Sequence, residues 1–205
     1  MFALLLGLGR NARAQSSAAE SAMDDWFTGE RNEAFVFLGL GTVSAGTGAY
    51  LLTRDTAFSR GAGYTALAFG AVEMIFASTY VLGLAPLHDE LKADLRRDPV
   101  KFQRDERERM NAIADRFVLY RYTELGILAA GAGLATYGFV YEKPTLAGIG
   151  VTAGAHAVLV LTLDYFAESR AQRYIRALER YRAEATTQPL RRGWGFQAPL
   201  MSGAF

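Results

Sequence analysis

The chain has 205 residues, 22 Lys and Arg against 21 Asp and Glu, a net charge of +1 and no cysteine. This excludes a disulfide scaffold and cysteine-based metal or redox chemistry, and two histidines, His88 and His156, exclude a His-rich metal centre. The near-zero net charge gives no general reason to bind nucleic acid.

A mean hydropathy of +0.07 hides a segregation of charge. Ala34 to Thr53 holds no charged residue in 20, Gly61 to Leu87 holds only Glu73, Leu125 to Tyr141 holds none in 17, and Pro144 to Leu163 holds none in 20. About 20 apolar residues span the roughly 30 Å hydrocarbon core of a bilayer. These runs place only Gly, Ala, Ser and Thr where a soluble amphipathic helix carries its polar face. The predicted fold is all-α: an integral membrane protein with four transmembrane helices.

In chain order, residues 1–30 form an N-terminal segment, 31–166 the membrane domain with a charged helical insert at 88–118, and 167–205 a C-terminal helix and aromatic tail. The short links Thr53 to Arg60 and Glu142 to Pro144 make two helical hairpins, Pro144 suiting a first helical turn. Leu87, Leu91 and Leu95 continue the second helix beyond the membrane on one apolar stripe. Asp98-Pro99 reads as an N-cap with proline at the first helical position. The next helix runs through Met110, Ile113 and Phe117 into the third span. Lys101 with Asp105, Arg104 with Glu108 and Asp105 with Arg109 are spaced as i,i+4 pairs. After the fourth span Ala167, Ala171, Tyr174, Leu178 and Tyr181 share a face, expected to pack on the extensions of the second and third helices. In the tail, Arg191, Arg192 and Trp194 suit a membrane interface.

The two short loops carry 3 basic residues, against 9 in the long connection, 7 after the fourth span and 3 before the first. The positive-inside rule therefore puts both termini and the extension in the cytosol. The short apolar run Met1 to Gly9, with Ala12-Arg13-Ala14 after it, also reads as a signal peptide over 1–14, whose cleavage would reverse that orientation.

A faint internal repeat sets Asn32-Glu33 and a span with Gly39 and Gly41 against Thr123-Glu124 and a span with Gly131 and Gly133. It also sets Thr65-Ala66-Leu67-Ala68 against Thr145-Leu146-Ala147-Gly148. Phe58-Ser59-Arg60-Gly61-Ala62-Gly63-Tyr64-Thr65-Ala66-Leu67 and Leu161-Thr162-Leu163-Asp164-Tyr165-Phe166 give the chain a look similar to uncharacterised small bacterial membrane-protein families built from two glycine-rich hairpins. That resemblance implies an integral membrane domain in a bacterial inner membrane and transfers no activity or site.

In lipid, helices associate where small residues let backbones approach. Gly41 and Ala45 in the first span, Ala62, Ala66 and Gly70 in the second, and the Gly150, Gly154 motif in the fourth are the candidate packing positions, within one chain or between chains. The partners expected are thus the bilayer and either further copies of the chain or other membrane subunits.

A charge at mid-bilayer costs about 2.5 to 3.5 kcal/mol or more. Glu73 and His156 each lie 12 residues beyond the start of their spans at Gly61 and Pro144, so both fall at one depth and form a candidate intramembrane pair able to relay protons. Glu33, Arg121, Glu124 and Asp164 form a candidate charge cluster at the opposite boundary from the short loops. Small residues around His156 would also admit a flat tetrapyrrole with the imidazole as axial ligand; otherwise no cofactor or metal is expected. No catalytic constellation stands out. The expected function is non-enzymatic: a structural or assembly subunit of a membrane complex or a homo-oligomer, with a small proton-coupled transporter or channel using Glu73 and His156 as the alternative.

Overall fold

A computed structural model describes residues 2–181, with side chains from residue 17 onward. Four helices follow one another: α1 Phe2–Leu52, α2 Ala57–Arg97, α3 Pro99–Val140 and α4 Pro144–Arg180. Each is long and apolar enough to cross a membrane, and the chain is a multi-pass, all-α membrane protein. At 1.5 Å per residue, helices of 37 to 51 residues are roughly 55 to 75 Å long, so all four reach well beyond the hydrocarbon core on the side away from the short loops.

The caps follow from the sequence. Thr56 opens α2 by accepting a hydrogen bond from the Ser59 amide, and Asp98 opens α3 by accepting from Lys101, with Pro99 next to it. Pro144 begins α4, and Glu142, with φ of 51°, makes the tight turn before it. Pro86 lies within α2, which continues through it to Arg97.

The two halves of the molecule are held by different physics. In the membrane half, backbone meets backbone. A Cβ on Gly41 would stand 2.8 Å from the Gly70 carbonyl, and one on Gly70 would stand 2.6 Å from the Ala45 amide. One on Gly48 would stand 2.7 Å from the Gly63 carbonyl. The second hairpin repeats the pattern, Gly131 against Gly150 and Gly154, and Gly138 against Ala147. Where α2 meets α4, Gly61 lies on Thr145, and Gly148 lies on Phe58 and Ala62. Ala66 is buried beside them. The packing positions read from the sequence, including the Gly150 and Gly154 motif, are thus used within one chain.

This packing sets the register of the repeat. Gly41 and Gly48 in α1 do what Gly131 and Gly138 do in α3, while Gly63 and Gly70 in α2 match Ala147 and Gly154 in α4. Thr145 therefore corresponds in place to Gly61, one helical turn from the Thr65 suggested by sequence. Gly39 and Gly133 have nothing within 4 Å.

Beyond the membrane, large side chains make a water-soluble kind of core: Met23, Trp26 and Phe27 of α1, Leu95 of α2, Phe102 and Met110 of α3, and Tyr174 and Leu178 of α4, joined by Leu84 from the end of the second span. The stripe Ala167, Ala171, Tyr174, Leu178 and Tyr181 is buried throughout, as its spacing predicts. The divisions at 30/31 and 166/167 fall inside the continuous helices α1 and α4. The i,i+4 pairs expected on α3 give way to Arg104 with Asp105 and Arg109 with Glu106. The tail with Arg191, Arg192 and Trp194 lies outside the described residues, as do the side chains of the proposed signal peptide.

Candidate functional site

α2 and α4 both enter the membrane from the short-loop side and touch along their first turns, which carries Glu73 and His156 to the same level. His156 Nε2 stands 3.4 Å from Glu73 Oε1, and the side chains are 11% and 8% exposed. The imidazole stacks on Phe69 with ring centroids 4.0 Å apart. The contact is within ion-pair range, but its geometry is not that of a hydrogen bond. Among the described residues neither Glu73 oxygen has a hydrogen-bond partner. Gly41, across the α1–α2 interface, gives the Glu73 stem its room: a Cβ there would stand 3.1 Å from Glu73 Cβ.

The pair lines one end of a cavity of about 700 Å³ to which all four helices contribute. From Glu73 and His156 the cavity runs toward the extension, past Phe37, Phe76, Tyr80 and Phe117, and reaches Trp26 and Arg109. Val72, Phe76 and Tyr80 of α2 and Tyr120 of α3 line it yet remain 45 to 70% exposed, so it opens sideways between α2 and α3.

The charges around this cavity are unequally matched. Glu30 accepts a hydrogen bond from Tyr80, and Arg170 reaches both Glu30, at 3.5 Å, and Glu33. Gly29 admits Arg170, whose Cδ would lie 2.6 Å from a Cβ there. Arg109 is held bidentately by the buried Glu106 through two bonds of 2.6 Å. Arg116 is exposed at the rim. Glu73 and Asp164 therefore line the cavity without a basic partner among these arginines.

The boundary cluster Glu33, Arg121, Glu124 and Asp164 is divided in two. Glu33 joins Glu30 and Arg170, whereas Glu124 and Asp164 line a small pocket shared with Arg121 and Glu168, where Glu124 Oε2 receives no hydrogen bond among the described residues. Arg121 forms its ion pair with Glu168 rather than with either acid. All four lie at a similar distance along their helices from the short loops; azimuth around the bundle separates them.

Farther out, Asp24 binds Lys92 and His88, each at 2.7 Å, and His88 stacks on Phe27. The Lys92 hydrogen bond, against some desolvation and with help from His88, holds the Asp24 carboxyl below the ordinary carboxylate range. Glu30, Tyr80, Glu106 and Arg170 are not singled out by the sequence, which sets Arg109 against Asp105 instead of Glu106. The stripe Ala19, Met23, Trp26, Phe27 and Glu30, one helical face of the N-terminal segment, is the signal that points to them.

The bed of small residues around His156 is occupied by helix packing rather than open to a flat macrocycle. Gly150 lies on Ala135, Gly154 touches Gly131, one face of the imidazole is covered by Phe69, and its Nε2 is turned to Glu73. Among the described residues no three metal-type ligands come together. No family model, curated protein or solved structure matches the chain.

Proposed function

We propose that this is a non-enzymatic multi-pass protein of a bacterial inner membrane whose working centre is Glu73 with His156, and that it moves protons, alone or coupled to a second solute. The observation that carries this reading is the position of the pair at the membrane end of a cavity that reaches the charged extension. A carboxyl and an imidazole in contact inside a membrane are costly as charges and well suited to holding and passing a proton. On the short-loop side of the pair, the contacts of Gly61 with Thr145, Gly48 with Gly63 and Gly138 with Ala147 close the bundle. The pair is thus shut off from the short-loop side, as one state of an alternating-access cycle requires. The distribution of basic residues supports a cytosolic extension.

Proton flux into proteoliposomes under an imposed potential tests this. Flux by the wild type that is lost in Glu73→Gln supports the reading; flux equal in both removes the role of Glu73.

A second reading, a structural subunit or homo-oligomer, is favoured by Gly39, Gly46, Gly126 and Gly133, which meet nothing within 4 Å. Glycine weakens a helix by about 0.5 to 1 kcal/mol relative to alanine, and a neighbouring chain could use the access it gives. A particle of one chain in native membranes and in mild detergent would count against this.

A further inference from the structure

The geometry points to a binding site for a lipophilic organic cation in the interhelical cavity, with Glu73 as its counter-ion. Three observations converge. First, Glu73 belongs to the cavity wall and is more than nine-tenths buried, and neither of its oxygens, both withdrawn from solvent, receives a hydrogen bond among the described residues. A carboxylate taken out of water without donors is destabilised by several kcal/mol, and either a proton or an organic cation relieves that cost.

Second, the walls are aromatic. Phe37, Phe76, Tyr80, Phe117, Tyr120 and Trp26 surround about 700 Å³, a volume suited to a drug-sized molecule. Their faces attract a cation whose charge is spread over apolar groups. The guanidinium groups nearby are paired with acids, Arg109 with Glu106 and Arg170 with Glu30 and Glu33, and Arg170, whose buried Nε has no hydrogen-bond partner among the described residues, is not part of the cavity wall. Of the remaining charged groups, Asp164 adds a second acid to the wall, His156 lies beside Glu73, and Arg116 sits exposed at the rim.

Third, the opening faces sideways between α2 and α3, where Phe76 is 70% exposed and Tyr80 47%. Phe76 and Tyr80 belong to the apolar part of α2, so a ligand dissolved in the bilayer enters without first crossing water. A hydrophilic cation has no such route and would leave the aromatic walls unsatisfied.

This proposal rests on the reading of Glu73 as the proton-carrying group and gives it a second solute. Proton and cation compete for one carboxyl, so binding of one releases the other, which is the elementary condition for exchange. No covalent step is involved.

Tetraphenylphosphonium is the probe, titrated calorimetrically into the full chain in mild detergent at neutral pH. Saturable binding, weakened about 100-fold in Glu73→Gln, is the expected result, with tetraphenylborate, its anionic counterpart, binding at least as weakly. In weakly buffered solution the wild type should release protons on cation binding, at most one per cation. Absence of saturable binding, equal affinity of Glu73→Gln, or equal affinity for the anion overturns the proposal. If Glu73→Gln does not retain a monodisperse elution peak, the wild-type proton release decides, and none released overturns it as well. Cation binding absent while Glu73-dependent proton flux persists removes the ligand class alone; flux absent while binding persists removes the transport reading and leaves the site.

Discussion

His156 and Glu73 meet at 3.4 Å across the interface of α2 and α4, the second helices of the two hairpins. The meeting has a simple mechanical origin. Gly61 rests on Thr145 and Gly148 on Phe58 and Ala62, which pins the two parallel helices at their first turns, and three further turns carry both side chains to one level. The same glycine packing that closes the short-loop side therefore sets the depth of the polar pair.

That packing is testable at two glycines of α1 that differ in surroundings. Gly41→Val drives its Cβ to 2.8 Å from the Gly70 carbonyl and 2.9 Å from Met74 Cγ, and should cost about 1 to 3 kcal/mol through overpacking. Gly39→Ala meets nothing within 4 Å and should leave the melting temperature of the detergent-solubilised monomer unchanged or raised. Equal destabilisation by both would show that α1 and α2 do not pack through Gly41.

Arg170 holds two carboxylates at once. Arg170→Ala leaves Glu30 and Glu33, 11% and 13% exposed, without their cation and should cost about 3 kcal/mol, read by chemical denaturation. Adding Glu33→Gln should recover part of the loss, since one uncompensated charge is then removed. A double variant no more stable than the single would mean that Arg170 contributes packing alone.

Much of the architecture was legible because the membrane imposes length and polarity together. Four apolar runs, three of them charge-free and one holding only Glu73, gave four helices, two short polar links gave the hairpins, and equal distance from those links gave Glu73 and His156. Asp98-Pro99 likewise announced the cap of α3. Sequence measures position along a helix axis but not rotation about it. Glu33 and Asp164 share a depth yet turn to different partners, and nothing local in the sequence ties Glu30 to Arg170 or Tyr80. The i,i+4 pairs on α3 failed for a related reason: Arg109 turns inward to the buried Glu106, a choice made by the four-helix core. Residues 1–30 read only as an N-terminal segment, with a candidate signal peptide over 1–14, and the face that buries Met23 and Trp26 lies beyond that stretch.

The outer end of the bundle should respond to acid. Asp24 is held below its ordinary range chiefly by Lys92, so its contribution is present above the usual carboxyl pKa and is lost as pH falls through the lowered value. Solvent screening at a side chain 44% exposed limits this to below about 1 kcal/mol. Trp26, stacked on Tyr174 at 6.0 Å, reports on this end once Trp194 is replaced by Phe. In that background the acid-side loss of stability should be smaller in Asp24→Asn. An unchanged acid limb would show that the Asp24 contacts do not contribute.

The absence of cysteine allows topology to be read directly. Asn111→Cys, exposed on α3 in the extension, should resist an impermeant maleimide in intact spheroplasts and react after permeabilisation. Labelling of intact spheroplasts would reverse the orientation, place the cavity mouth on the outer side and favour cleavage within residues 1–14.

The central claim is that Glu73 and His156 act as one pair. The chain has two histidines, so nitrogen-15 labelling of histidine gives two imidazole titration curves, and His88→Asn leaves His156 alone. The account predicts that the His156 curve in this background changes its midpoint when Glu73 is replaced by Gln, with the fold retained by size exclusion and Trp26 emission. A His156 curve that is the same with Glu73 and with Gln would contradict it, because two groups that share a proton cannot titrate independently.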